Sequence, residues 1–432
     1  MIVVISDLHL NDGTVCTGTD AGAAEVFWEN LKDQVNTAGK RSDGTYKAVE
    51  SLELIMLGDI FDFIRSDRWL AEGVRPWDPI KKIAPTLQQI CQDIMSTNAE
   101  FLEIFRKNTA SPIIVDGGSK VPVNLHYMVG NHDWMLHHQD PCMDFVRQLV
   151  TVSMGLSTNV GPQFCWTVEE SKYLTQQCKQ HRTYVRHGDI HDSDNYHTWL
   201  GRDASSMGDA IVVEFVTAWP RVCAELVASR SNTPIDDETM DRIKEIDNIR
   251  PSSQSPIYAR RVIDAVQDPV HKKAMTDALK QCTDALNKSE MFKNVLKNDP
   301  LGAIKFYALG FFHPFIPIKL ISLVTKIADN WNTKYAKAAS KEKWIKQNLC
   351  DFVIYGHTHL AQTVGIGTSV DAHDKLYINA ATWRPMNSEI TIGDIQSFPY
   401  FHQKVMTWVA VYTNGERRGK THEVWNGQLG LK

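Results

Sequence analysis

The stretch Leu52-Glu53-Leu54-Ile55-Met56-Leu57-Gly58-Asp59-Ile60-Phe61-Asp62 decides how the chain is read. Six residues, all but Glu53 apolar, run into a glycine and two carboxylates spaced three apart. So short an apolar run, stopped by Gly-Asp, reads as a strand with a polar turn at its carboxyl end. The pattern recurs outward in both directions. Ile2 to Ile5 runs into Ser6-Asp7, Asn124 to Val129 into Gly130-Asn131, Thr183 to Arg186 into His187-Gly188, and Asp351 to Tyr355 into Gly356-His357. Leu376 to Ile378 and Val405 to Tyr412 read as further strands of the same core. Helical spacing separates the early strands: Ala24, Phe27, Trp28, Leu31 and Val35 share one face that stops at Gly39, and Ile83, Leu87, Ile90, Ile94 and Phe101 follow. Strands alternating with helices predict an α/β fold, whose sites gather beyond the carboxyl ends of the strands.

From about Asn195 to Asn348 the strand pattern gives way to helical spacing, with turn signals at Ser231-Asn232-Thr233-Pro234 and Pro251-Ser252-Ser253. The expectation is a discontinuous α/β domain over 1–194 and 350–432, carrying a helical insertion or cap over 195–349. A length of 432 residues agrees with two or three units at about 150 residues each. At 43% apolar and 22% charged, the composition excludes a largely disordered, collagen-like or multispan membrane chain.

The eight cysteines (Cys16, Cys91, Cys142, Cys165, Cys178, Cys223, Cys282 and Cys350) are scattered, without a CxxC pair, as in free thiols of a reducing compartment. Met1-Ile2-Val3-Val4-Ile5 lacks the basic region and cleavage site of an export signal, so a cytoplasmic location is expected. A net charge of −5 gives no bulk attraction to polyanions. It hides an asymmetry: His271 to Cys350 holds fourteen lysines and no arginine against six acids, +8, so the rest carries −13.

The strand ends collect Asp7 and His9; Asp59 and Asp62; Asn131, His132 and Asp133; His187; and His357 and His359. Each is a metal-ligand type or an acid–base group. Carboxylate and amide oxygens mixed with imidazole suit manganese, iron or zinc rather than calcium or a thiolate zinc site.

These fragments resemble the five blocks of the calcineurin-like metallophosphoesterases. Asp7-Leu8-His9, Gly58-Asp59-Ile60-Phe61-Asp62, Gly130-Asn131-His132-Asp133, His187-Gly188-Asp189 and Gly356-His357-Thr358-His359 match in order and in position after strands. The likeness covers roughly 1–192 and 351–390 and leaves the insertion uncovered. It implies a four-layer α/β/β/α sandwich and two divalent ions, manganese first, with iron, zinc or magnesium as alternatives. Asp7, His9, Asp59 and His359 would hold one ion, and Asp59, Asn131, His187 and His357 the other, with Asp59 as the bridge. The implied chemistry is attack of metal-activated water on a phosphodiester or pyrophosphate, or on a phosphomonoester. His132 would serve as the acid toward the leaving oxygen and Asp62 would orient it. Asp133 reads as a turn cap rather than a ligand, and His137 and His138 as surface residues. Asp189 and His191 read as outside the ligand set, and Tyr377-Ile378-Asn379 with Thr382-Trp383 as the floor of the site.

Some of the blocks are similar to the branch that cleaves UDP-diacylglucosamine, although that branch carries arginine where this chain has His132 and is far shorter. The GDIFD and GNHD blocks also resemble a nuclease branch, which makes a DNA or RNA nuclease the alternative enzyme. A non-catalytic scaffold is the alternative of another class. The expected partner is a phosphorylated small molecule, nucleotide or lipid-linked substrate, with nucleic acid as the alternative. The apolar run Leu301 to Val324 reads as the buried core of the helical insertion, with a cap over the metal site or, given the lysines beside it, peripheral membrane contact as alternatives.

Overall fold

A computed structural model describes residues 1–16, 18–250, 254–299, 331–368, 374–389, 400–413 and 415–428. The apolar run Leu301 to Val324 and the turn at Pro251 to Ser253 therefore lie outside the described residues. The chain folds as a mixed α/β protein. Its strands are β1 (Ile2–Ile5), β2 (Leu52–Leu57), a small hairpin of β3 (Ile113–Ile114) and β4 (Lys120–Val121), then β5 (Val123–Met128) and β6 (Thr183–Val185). After these come β7 (Ile249–Arg250), β8 (Phe352–Tyr355), β9 (Gln362–Thr368), β10 (Asp374–Asn379), β11 (Pro385–Glu389), β12 (Tyr400–Val411) and β13 (His422–Gln428).

Two sheets share the work. The larger runs β5-β2-β1-β12-β11-β7, with β13 also on β12; the smaller runs β6-β8-β10-β9. In the first, β1, β2 and β5 are parallel; in the second, β6, β8 and β10 are. Because side chains alternate along a strand, each strand of the large sheet feeds two cores. Val3, Ile5, Leu54, Met56 and Leu125 pack on helices Ala21–Ala38, Ile80–Thr97, Ala99–Thr109 and Asp144–Met154. Ile2, Val4, Ile55, Leu57 and Met128 pack with Val185, Val353 and Ile378 of the small sheet. Helices Lys172–Gln180 and Trp331–Ala339 contribute Leu174, Cys178, Tyr335 and Ala339 to that second core.

The first helix matches its spacing: Asp20 caps it by accepting from the Gly22 N–H, and Gly39 follows its last residue. The second helical stretch is two helices, parted at Asn98, whose Nδ2 donates to the carbonyls of Ile94 and Asn11.

Between Met207 and Asn298 helices dominate and bury a cluster of their own, including Trp219, Val227, Tyr258, Met275 and Phe292. The segment expected to be wholly helical nevertheless contributes β7, which pairs in parallel with β11 through Ile249 and Asn387. A two-residue strand is too short to show a period, so helical spacing on either side conceals it. Among the described residues no helix is long and apolar enough to cross a membrane. All eight cysteines are unpaired.

Candidate metal centre

Parallel pairing brings the carboxyl ends of β1, β2 and β5 to one edge, and those of β6, β8 and β10 to the facing edge. Five loops meet there at close quarters. The Asp7 N–H donates to Gly58 O at 3.1 Å, the His9 N–H to Asp59 O at 2.9 Å, and the Gly356 N–H to His187 O at 2.9 Å. Glycine is required where they touch: a Cβ on Gly58 would stand 2.5 Å from the Gly130 nitrogen, and one on Gly356 would stand 1.9 Å from Ser6 Oγ. The loops also carry strain. Asp7, His9, Asp59, His357 and His359 all have positive φ, between 49° and 70°, a region that residues other than glycine enter at a cost. Such strain collects at functional sites, and here it falls on five of the seven expected ligands.

The seven side chains converge. Nε2 of His359 and of His9 lie 3.2 and 3.7 Å from Asp7 Oδ1 and 3.0 Å from each other. Asp59 Oδ2 lies 3.8 Å from His9 Nε2 on one side and 3.3 Å from His187 Nε2 on the other. Asn131 Oδ1 is 3.1 Å from His187 Nε2 and 3.0 Å from His357 Nδ1. Two donor groups lie to either side, Asp7–His9–His359 and Asp59–His187–His357, and a third, His9–Asp59–His132, overlaps them; in each the ligand atoms lie within 4.8 Å of one another and could hold a cation. Asp59 Oδ1 accepts the His132 N–H at 2.8 Å, so Oδ2 alone faces both groups.

The donor set fits a divalent cation on four counts. Asp7 Oδ1 is buried and faces only the imidazoles of His359 and His9, whereas Asp7 Oδ2 accepts from Ser6 Oγ and the His357 N–H. Asn131 gives its NH₂ to Asn195 Oδ1, which leaves its carbonyl oxygen turned to the histidines. The rear nitrogens of three histidines are engaged: His9 Nδ1 with Asp62 Oδ2 (2.8 Å), His187 Nδ1 with Leu57 O (2.8 Å) and His357 Nε2 with Asp192 Oδ2 (3.1 Å). The acceptors behind His187 and His357 fix the tautomer that presents a lone pair to a metal, whereas His9 Nδ1 also lies 3.1 Å from Arg65 Nη1. Finally, the site draws positive charge. Burial works to lower the His187 imidazole, but Asp59 and Asp7 push it up to about 10. Burial likewise acts to raise Asp59, and His187, His132 and His9 overcome it, holding the carboxyl well below its ordinary range.

His359 stands apart. Its Nδ1 lies 2.5 Å from Arg250 Nη2, and a guanidinium can only donate. This contact places the hydrogen on Nε2, the atom that faces Asp7, so a cation there requires Arg250 to withdraw from His359.

His132 Nδ1 lies 2.8 Å from Asp62 Oδ1, and its Nε2 is 4.0 Å from Asp59 Oδ2. Burial disfavours its charged form, but Asp62 and Asp59 raise its pKa above the ordinary imidazole value. Asp62 thus serves two rings, His9 through Oδ2 and His132 through Oδ1. It is held in turn by Arg65, which pairs with Asp62 and with Asp247, just before β7.

The neighbours of the ligands sort out by what they touch. Asp133 braces its loop: Oδ2 accepts from the Ile60 N–H and Tyr127 OH, and Oδ1 from the Gly130 N–H. Asp189 pairs with Arg202, which also donates to Gly130 O, and His191 meets Tyr355 OH at 3.3 Å. His137 is half-buried between Asp203 and Glu170 rather than free on the surface. Thr382 Oγ1 donates to Asp7 O at 2.6 Å and Asn379 Nδ2 to Gly356 O at 2.7 Å, so this turn braces two ligand loops from below.

Sequence reasoning missed Asp192, Arg65, Asp247 and Arg250. Asp192 lies five residues past His187 and carried a faint signal; the arginines carried none, since arginine is a surface residue by default. No protein-family model matches the chain, and no curated protein is significantly similar to it.

Proposed function

We propose that this chain is a dinuclear-metal phosphohydrolase of the calcineurin-like metallophosphoesterase kind, acting on a phosphodiester or pyrophosphate. One observation carries the reading: a single buried carboxylate oxygen, Asp59 Oδ2, lies between two complete sets of nitrogen and oxygen donors. The stacking of helices, large sheet, small sheet and further helices supports the four-layer sandwich of that family. Asp7, His9, Asp59 and His359 would hold one ion, and Asp59, Asn131, His187 and His357 the second. Bound divalent cations supply charge that offsets a phosphoryl group's own and make water acidic enough to furnish hydroxide near neutral pH.

The chain's own residues supply the rest. His132 lies beside the shared carboxylate, and Asp62 and Asp59 favour its charged form, which suits it to carry a proton on Nε2. That proton goes to the departing oxygen of the ester, a role worth typically 10²–10⁴-fold for a positioned acid. Asp62 fixes the ring through Nδ1, and Arg65 fixes Asp62.

The direct test is hydrolysis of bis-p-nitrophenyl phosphate with added Mn²⁺, wild type beside Asp59→Asn. Turnover that disappears in the variant supports the reading. Equal turnover in both sinks it.

A further inference from the structure

The ligand His357 is backed by Asp192, and its ring lies 6.0 Å from that of Tyr335, which also meets the ring of His191 at 6.4 Å. Beyond this wall lies a cavity of about 600 Å³ whose lining includes Arg186, His191, Lys334, Lys337, Lys341 and Glu342. Its size falls within the range of small-ligand sites. The lysines recur at spacings of three and four along helix Trp331–Ala339 and the turn after it, so they form one stripe. Ala338, also in the lining, leaves room between them.

Glu342 is the one acid among these lining residues, and it is already engaged. Its Oε1 accepts from Tyr355 OH at 2.6 Å and from Arg186 Nη1 at 3.2 Å. Lys337 and Lys341 make no ion pair among the described residues. Arg186 is only 8% exposed, its guanidinium lies 5.5 Å from the Trp166 ring and 5.8 Å from the Tyr184 ring, and its Nε has no hydrogen-bond partner. A guanidinium and a stripe of lysines lining one cavity, whose lone acid is already engaged, are complementary to an anion with several oxygens.

We propose that this cavity is an anion subsite for a phosphate-bearing group, one residue layer from the metal centre. Two sources share that chemistry: a second phosphate of the substrate itself, or a separate phosphate-bearing anion. The second arm of the test rests on the phosphohydrolase reading; the first does not, so the two can fail separately.

In the first arm, inorganic pyrophosphate is titrated calorimetrically into the full-length chain stripped of metal. The double substitution Lys337→Glu with Lys341→Glu reverses two exposed charges and should weaken binding by roughly tenfold or more. Arg186→Gln should weaken it too, and Lys346→Glu, an exposed lysine outside the lining, should leave it unchanged. Affinity indifferent to the double substitution, or equally sensitive to Lys346→Glu, overturns the subsite.

In the second arm, Mn²⁺-loaded wild type and double variant are compared on bis-p-nitrophenyl phosphate and on a nucleoside diphosphate ester. A raised KM on the diphosphate ester alone identifies the substrate's second phosphate. A pyrophosphate effect on bis-p-nitrophenyl phosphate turnover that the double variant loses identifies a separate anion.

Discussion

Glu53 lies near the start of β2 and Asp59 two residues past its end; both are buried carboxylates held below the ordinary range, and they serve opposite purposes. Glu53, at the amino end of β2, is fully met by the protein. It accepts from Ser51 Oγ (2.6 Å), Asn124 Nδ2 (2.9 Å) and Tyr173 OH (2.9 Å), and pairs with His126 Nε2 (2.8 Å). Its backbone is ordinary strand. Asp59, past the carboxyl end, sits at positive φ among imidazoles and other carboxylates, and its neighbour Asp7 turns Oδ1 only to the imidazoles of His359 and His9. A closed polar cluster stabilises the fold; an open and strained one holds a ligand at stability's expense.

The comparison breaks if the two ends respond alike. Asp59→Asn should cost the most activity, roughly 10³-fold or more in turnover if both ions depend on that oxygen, while leaving the melting temperature unchanged or raised. Thermal unfolding of the metal-free protein checks the second half; a large loss of stability there would make Asp59 a second Glu53.

His132→Ala comes next. It should retain metal but lose about 10²-fold on alkyl esters and much less on nitrophenyl esters, whose leaving oxygen needs little help. Equal losses on both substrates argue against an acid. Asp247→Asn should show the same split weakly, about tenfold on alkyl esters, because it loosens Arg65 from Asp62 without touching a ligand.

At the closed end, Glu53→Gln should leave turnover and metal content alone and destabilise the fold by about 1–3 kcal/mol, read from urea unfolding. The pH dependence carries the sign. Burial acts to raise Glu53, but His126, Ser51 and Asn124 bring it down to about 2 from an ordinary 4.5. A lowered carboxyl stabilises the fold fully above the unfolded value, so that contribution fades as pH falls from about 4.5 toward 2. The variant's unfolding free energy should lack that part of the acid limb. Smallest of all, Arg250→Met should tighten Mn²⁺ binding a few-fold by calorimetry, since it removes the donor that holds the hydrogen on His359 Nε2.

What was legible in the sequence follows from the same contrast. The ligand loops could be read because each is a short apolar run ended abruptly by Gly-Asp, Gly-Asn, His-Gly or Gly-His, a pattern that exists only where a strand delivers a side chain to an edge. β2 is found where the pattern puts it, and β1 likewise. β9 (QTVGIGT) and β13 (HEVWNGQ) escaped because both alternate polar, glycine and exposed positions and lack an apolar run. Arg65, Asp247 and Arg250 escaped for another reason. Their meaning comes from partners such as Asp62 and His359, brought close only by the fold, and no local spacing records that. Asp62 was readable as a partner for His132 but not as one for His9.

The most direct measurement is metal content. The full-length chain, loaded with Mn²⁺ and freed of excess by gel filtration, is assayed by plasma mass spectrometry as wild type, Asp59→Asn and Glu53→Gln. The account predicts about two ions per chain in wild type and in Glu53→Gln, and a marked loss in Asp59→Asn. Wild type without bound metal, or Asp59→Asn retaining both ions, would contradict it.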